Sequence, residues 1–142
     1  MVFILLMILF IWFSLLLPGV KIGKFILCGS SVKEREKPEL VMWLVFLILL
    51  PTYIFFPLAG NILILIFLLL WFIAQWFFTL RYIFFPNERK IEGYNNYFAS
   101  SHYIIKPSKK RLVPDTYHIV LFSLIIVCLF ATTINLICLY IV

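Results

Sequence analysis

His102, Asp115 and His118 are the residues of this sequence whose types suit general acid and base chemistry, because an imidazole held by a carboxylate can move protons near neutral pH. Asp115 and His118 are three residues apart, a spacing that puts them on one side of a starting helix. No spacing ties His102 to the other two. Asp115 is equally well explained as the cap of a helix starting at Pro114-Asp115-Thr116. Neither an H-E-x-x-H run nor a phosphate-binding glycine loop accompanies the three, so the sequence names no catalytic residue, cofactor-binding residue or metal ligand.

A second chemically able group is basic. Lys106, Lys109, Lys110 and Arg111 could hold anionic lipid headgroups, at about 1 kcal/mol for each base beside a charged leaflet. The plainer reading is that they only orient the chain. A third group is polar and uncharged. Cys128, Thr132 and Asn135 recur at helical spacing and share one face, and Gln75, Thr79 and Tyr82 do the same. Counted from the outer helix ends at 1.5 Å per residue, Gln75 and Cys128 are expected at similar depth, so the two stripes are expected to face each other. They would then serve either as glue between helices or as a substrate pathway. A buried amide that finds a partner in lipid gains about 0.6 to 2 kcal/mol.

The elements that must position these groups are almost wholly apolar. Of 142 residues 65% are hydrophobic, and the mean hydropathy is +1.13. A soluble domain is apolar over about half its residues. The expected fold class is therefore an all-α membrane protein of four transmembrane helices. Four tracts approach the roughly 17 to 25 residues of a crossing: Val2 to Leu17, Leu40 to Phe56, Ile62 to Phe85 and His118 to Val142. Loops at 18–39 and 86–117 join them, and the uncharged connection Pro57 to Asn61 is expected to turn tightly at Gly60-Asn61, with Asn61 as the cap of the third helix. Residues 1–142 would form a single transmembrane domain. Pro51 predicts a kink or a tilted course in the second tract.

Charge placement predicts orientation. Lys21, Lys24, Lys33, Arg35 and Lys37 lie between the first two tracts, and Arg81, Arg89, Lys90 and the later bases lie at or after the end of the third. All therefore fall on one side of a path with four crossings, which the positive-inside rule makes cytoplasmic and which puts both chain ends opposite. The first tract lacks a basic leader and a small-x-small cleavage site, so it is read as a retained helix. The lipoprotein-like run Phe25 to Ser31 has Leu27 where a small residue is needed before Cys28. Cys128 and Cys138 stand about 15 Å apart on a helix, beyond disulfide reach. The longer loop interleaves Tyr94, Tyr97, Phe98 and Tyr103 with polar residues, a pattern that suits the membrane interface.

Several functions are disfavoured. No Asp, Glu or Lys falls inside any tract, and Arg81 can extend to the interface, whereas coupled carriers need an ionisable group at depth. The expected function is that of a small accessory protein: a subunit, assembly partner or immunity-type protein that packs against another membrane protein or forms a homo-oligomer. The alternative is a small transporter or channel-like protein, and after it a lipid-modifying enzyme using His102 or His118. Partners are expected to be the lipid bilayer and a membrane protein, with no nucleic acid and no cofactor. The bulky composition, poor in Ala and Gly, suits a bacterial cytoplasmic or organellar inner membrane.

Overall fold

A computed structural model describes residues 1–15, 21–22, 25–26 and 37–141, and among them the fold is helical apart from one two-residue antiparallel pair. In chain order the elements are α1 (Val2–Ser14), β1 (Lys21–Ile22), β2 (Phe25–Ile26), α2 (Lys37–Phe55), α3 (Pro57–Gln75), α4 (Arg81–Phe84), α5 (Glu88–Tyr97) and α6 (Thr116–Ile141). A π-helical stretch, Trp76–Leu80, joins α3 to α4, giving a helix of 28 residues from Pro57 to Phe84. Lys21 pairs with Ile26, and Ile22 with Phe25. Leu16, Leu17 and Cys28 lie outside the described residues.

Two helices, Pro57–Phe84 and Thr116–Tyr140, are long and apolar enough to cross a membrane. At 1.5 Å per residue they reach about 42 and 38 Å, more than the roughly 30 Å of hydrocarbon in a bilayer. The apolar helices Val2–Ser14 and Glu39–Phe55 are shorter. α2 continues through Pro51, whose missing N–H leaves the Leu47 carbonyl without its usual helical donor.

α1, α2, α3 and α6 pack in a ring, each against its neighbours. Ring contacts give the directions: Phe3 stacks on Tyr53 near one end and Phe10 on Trp43 near the other, so α1 and α2 run antiparallel. Phe46 meets Phe67 and Trp71, which sets α2 and α3 antiparallel as well. Bulky rings fill the centre, where Phe46, Trp71, Leu6, Leu68 and Ile125 are fully buried. Such pairs contribute about 0.5 to 1.5 kcal/mol each beyond the area they bury.

The turn expected at Pro57 to Asn61 is instead the beginning of α3. Phe56 alone, at φ −132° and ψ 75°, separates the two helices, and Pro57 takes the first helical position, where no N–H is needed. Gly60 makes this possible. A Cβ there would come under 3.0 Å from backbone atoms of Thr52 and Tyr53, so only a glycine lets the two helix backbones approach this closely. Asn61 is consequently inside the helix and fully buried rather than a cap.

Candidate functional site

Polar side chains collect at the two ends of the bundle. At the end where α2 turns into α3, Asn61 Nδ2 donates to the Thr132 carbonyl at 3.0 Å, and Asn135 Nδ2 donates to Asn61 Oδ1 and to Tyr53 Oη, both at 3.2 Å. Thr132 Oγ1 donates to the Cys128 carbonyl at 2.7 Å. Three helices are thus tied together by uncharged groups. Thr132, Asn135 and Cys128, singled out by spacing, do belong to this neighbourhood, whereas Asn61 stands out in the sequence only as a helix cap and Tyr53 not at all. The signal for Asn61 is Pro57, since a proline at a helix start places the residue four later inside the helix.

Gln75 and Thr79 sit elsewhere. Phe13 packs on Trp71 while the adjacent Trp12 stacks on Tyr117, so Trp71 and Tyr117 share a level. Gln75 lies one turn beyond Trp71 towards the loops, whereas Cys128 lies about 16 Å from Tyr117 along α6 in the opposite sense. The two stripes therefore do not meet at one depth. Gln75 is half-buried, its side chain makes no hydrogen bond to another described residue, and Thr79 is buried in the π-helical stretch. Tyr82 holds Arg81, whose Nη2 donates to Tyr82 Oη at 2.6 Å while its guanidinium lies 4.7 Å from the Tyr82 ring centre.

The loop end holds the ionisable groups. Asp115 precedes α6, and its Oδ1 accepts from the His118 backbone N–H at 3.1 Å, as a helix cap does. The same oxygen lies 2.5 Å from His118 Nδ1, with Asp115 fully buried and His118 14% exposed. The contact, with the backbone cap, fixes the orientation of the His118 ring. Tyr94 Oη lies 3.3 Å from Nδ1 and accepts from the Asp115 N–H at 3.4 Å. The rings of Tyr94, Phe98, Tyr117 and Phe122 surround the imidazole, with centres 4.9 to 6.0 Å away.

His102, which no spacing ties to this group, is brought there by the loop. Its Nδ1 lies 2.8 Å from Thr116 Oγ1, and its carbonyl accepts from the Thr116 N–H at 2.9 Å. Asp115 Oδ2 and Tyr103 Oη are buried without a hydrogen-bond partner among the described residues. Burial, and then the negative charge of Asp115, push the Tyr103 phenol up to about 12. The arrangement can orient an imidazole and hold a proton. Among the described residues no group of His, Cys, Asp and Glu could hold a metal ion.

Lys106, Lys109, Lys110 and Arg111 are all exposed. Their segment is anchored to α5 by Asn95 Nδ2, which donates to the Ser108 carbonyl at 3.1 Å. Comparison with known proteins found no match to any family model, any curated protein or any solved structure.

Proposed function

We propose that this chain is a multi-pass membrane protein in which α1, α2, the Pro57–Phe84 helix and α6 all cross the bilayer, with the loops 18–39 and 86–117 in the cytoplasm. The placement of all twelve Lys and Arg in those loops, or at their edge in the case of Arg81, supports this orientation. Within the membrane it acts as an accessory subunit, assembly partner or immunity-type protein, by packing against another membrane protein or a second copy of itself.

The observation that carries this reading is the π-helical stretch. A π turn inserts an extra residue into an α-helix and is frequent at functional sites. Trp76, Phe77 and Phe78 are 38%, 53% and 79% exposed, and Phe84 and Phe85 project at the same end. Trp76 stacks on Phe84 at 6.0 Å, giving the ridge a fixed shape. Aromatic anchors of this kind supply much of the energy of protein interfaces. A photo-reactive residue at Phe78 should give a discrete protein adduct in intact membranes, and Phe77→Ala with Phe78→Ala should abolish it while membrane integration persists. Labelling of lipid alone, from a chain recovered as a lone monomer in mild detergent, would sink the reading.

The contact of Asp115 with His118 Nδ1 favours a second reading, a lipid-modifying enzyme with His118 as base. Lipid turnover unchanged by His118→Ala would discard it.

A further inference from the structure

Between α5 and α6 the chain carries exposed apolar residues on a loop rather than on a helix. Ile104 and Ile105 are 63% and 55% exposed, whereas Leu112 and Val113 at the end of the same loop are buried. Burial was therefore open to apolar side chains of this loop, yet the two isoleucines stay outside. Both ends of the loop are pinned at the level of the helix ends. Thr116, the first residue of α6, donates its N–H to the His102 carbonyl at 2.9 Å, and the Leu112 N–H donates to the carbonyl of Tyr82 in α4 at 3.4 Å. Leu112 also packs with Tyr82 and Ile91 in a small apolar cluster. Between these pins the Ser108 carbonyl is tied to Asn95 of α5. On helices that cross a bilayer, such ends lie where hydrocarbon gives way to headgroups.

We propose that the loop from Tyr103 to Arg111 inserts Ile104 and Ile105 into an anionic leaflet of the membrane, with Lys106, Lys110 and Arg111 on the headgroup phosphates. The proposal rests on the membrane placement proposed above. Exposed apolar residues on the crossing helices are covered there by hydrocarbon, but a loop reaches hydrocarbon only by dipping into the leaflet, as interfacial anchors do. The neighbouring bases fit that position. Lys106 follows Ile105 directly, Lys110 and Arg111 close the loop, and all three are exposed. Their aliphatic stems can run beside the isoleucines while the charged heads reach the phosphates. Lys109 lines a cavity of about 480 Å³ together with Glu88 and Glu92, which offset its charge. A neutral leaflet offers the isoleucines the same hydrocarbon and the bases nothing, so insertion depends on anionic lipid. The bases then do more than orient the chain.

Spin labelling of the full chain in phosphatidylcholine vesicles, with and without phosphatidylglycerol, tests this. The label is attached through Ile104→Cys, with Cys28→Ala and Cys138→Ala removing the other sites of reaction and Cys128 left buried. Two relaxing agents report its surroundings: oxygen, which concentrates in hydrocarbon, and a nickel chelate, which stays in water. With phosphatidylglycerol present the label should meet oxygen and be shielded from the chelate; in phosphatidylcholine alone the chelate should reach it. Lys106→Gln with Lys110→Gln should lower the ratio of inserted to free loop about fivefold for each base removed. Ile105→Ser should shift that ratio the same way, and each of these positions is exposed, so the fold is not at stake. A label open to the chelate in anionic vesicles, or inserted equally in both kinds of vesicle, would overturn the proposal. Shielding from both agents would overturn it in favour of a protein covering the loop. A second label, through Phe130→Cys on the exposed face of α6, separates the two readings. Chelate reaching Phe130 sinks the membrane placement, whereas oxygen there beside a wet Ile104 sinks only the inserted loop.

Discussion

The two ends of the bundle are both polar and both buried, yet they are built from different chemistry. At the turn end, Asn61, Asn135, Tyr53 and Thr132 are joined by amide, hydroxyl and carbonyl groups, none of which changes charge near neutral pH. At the loop end, Asp115 and His118 share a contact inside a ring of aromatic side chains, and two buried oxygens, Asp115 Oδ2 and Tyr103 Oη, have no hydrogen-bond partner among the described residues. A satisfied uncharged network fixes helix register at little electrostatic cost, whereas a buried ionisable group keeps a low-dielectric site responsive to protons and charge. The turn end thus holds helix register with neutral groups, and the loop end uses a buried carboxylate to cap α6 and orient an imidazole.

Removing the carboxylate should separate the two ends most sharply. Asp115→Ala deletes a helix cap and leaves His118 without its buried partner, and should cost about 3 kcal/mol in reversible unfolding by denaturing detergent. A loss no larger than that of an exposed substitution would mean that the loop end carries little of the stability. Next comes the helix crossing at the turn end. Gly60→Ala forces a methyl against the α2 backbone and should cost about 1 to 3 kcal/mol, whereas Gly93→Ala, in open space on α5, should be neutral or add a few tenths. Equal melting temperatures for the two variants would remove Gly60 from the account.

Asn61→Leu should cost about 1 to 2 kcal/mol, because the Thr132 carbonyl loses the Asn61 amide and the Asn135 amide keeps Tyr53 but loses Asn61 Oδ1. This loss should not vary between pH 6 and pH 9; a pH-dependent loss would contradict the uncharged reading of that end. Within the neutral range the smallest effect belongs to Tyr103, whose contribution changes only at alkaline pH. Its phenol is raised from about 10 to about 12, so the folded chain holds that proton more tightly than the unfolded chain does. The stabilising contribution is full below about pH 10 and is lost as the pH rises to about 12, and Tyr103→Phe should flatten that part of the stability curve. An unchanged slope would contradict the burial of the Tyr103 phenol first, and its nearness to the charge of Asp115 second.

Much of the helix content could be read directly from residue order. Long apolar tracts predict the helices around Ile64 and Ile125, and Asp115 before Thr116 predicts a cap that the structure contains. The interleaved aromatic loop leaves room for a short helix, and α5 is there, with Ile91 as its buried residue. The missed features all depend on two segments at once. Asn61 reads as a turn residue until α3 is known to begin at Pro57, and His102 has no fixed distance from Thr116 until the loop folds back. Gln75 and Cys128 count to equal depth only if the outer helix ends are level.

By itself the sequence determined that the chain is helical and largely apolar, and where its basic residues fall along it, because hydropathy, charge order and capping are local properties. Only the tertiary structure decided that Gly60 is a helix crossing, that Asn61 and Asn135 meet, and that His102 bonds Thr116, the residue after Asp115. Those facts depend on the relative register of packed helices. That register is set by non-local side-chain fit and backbone approach, which no run of residues encodes separately.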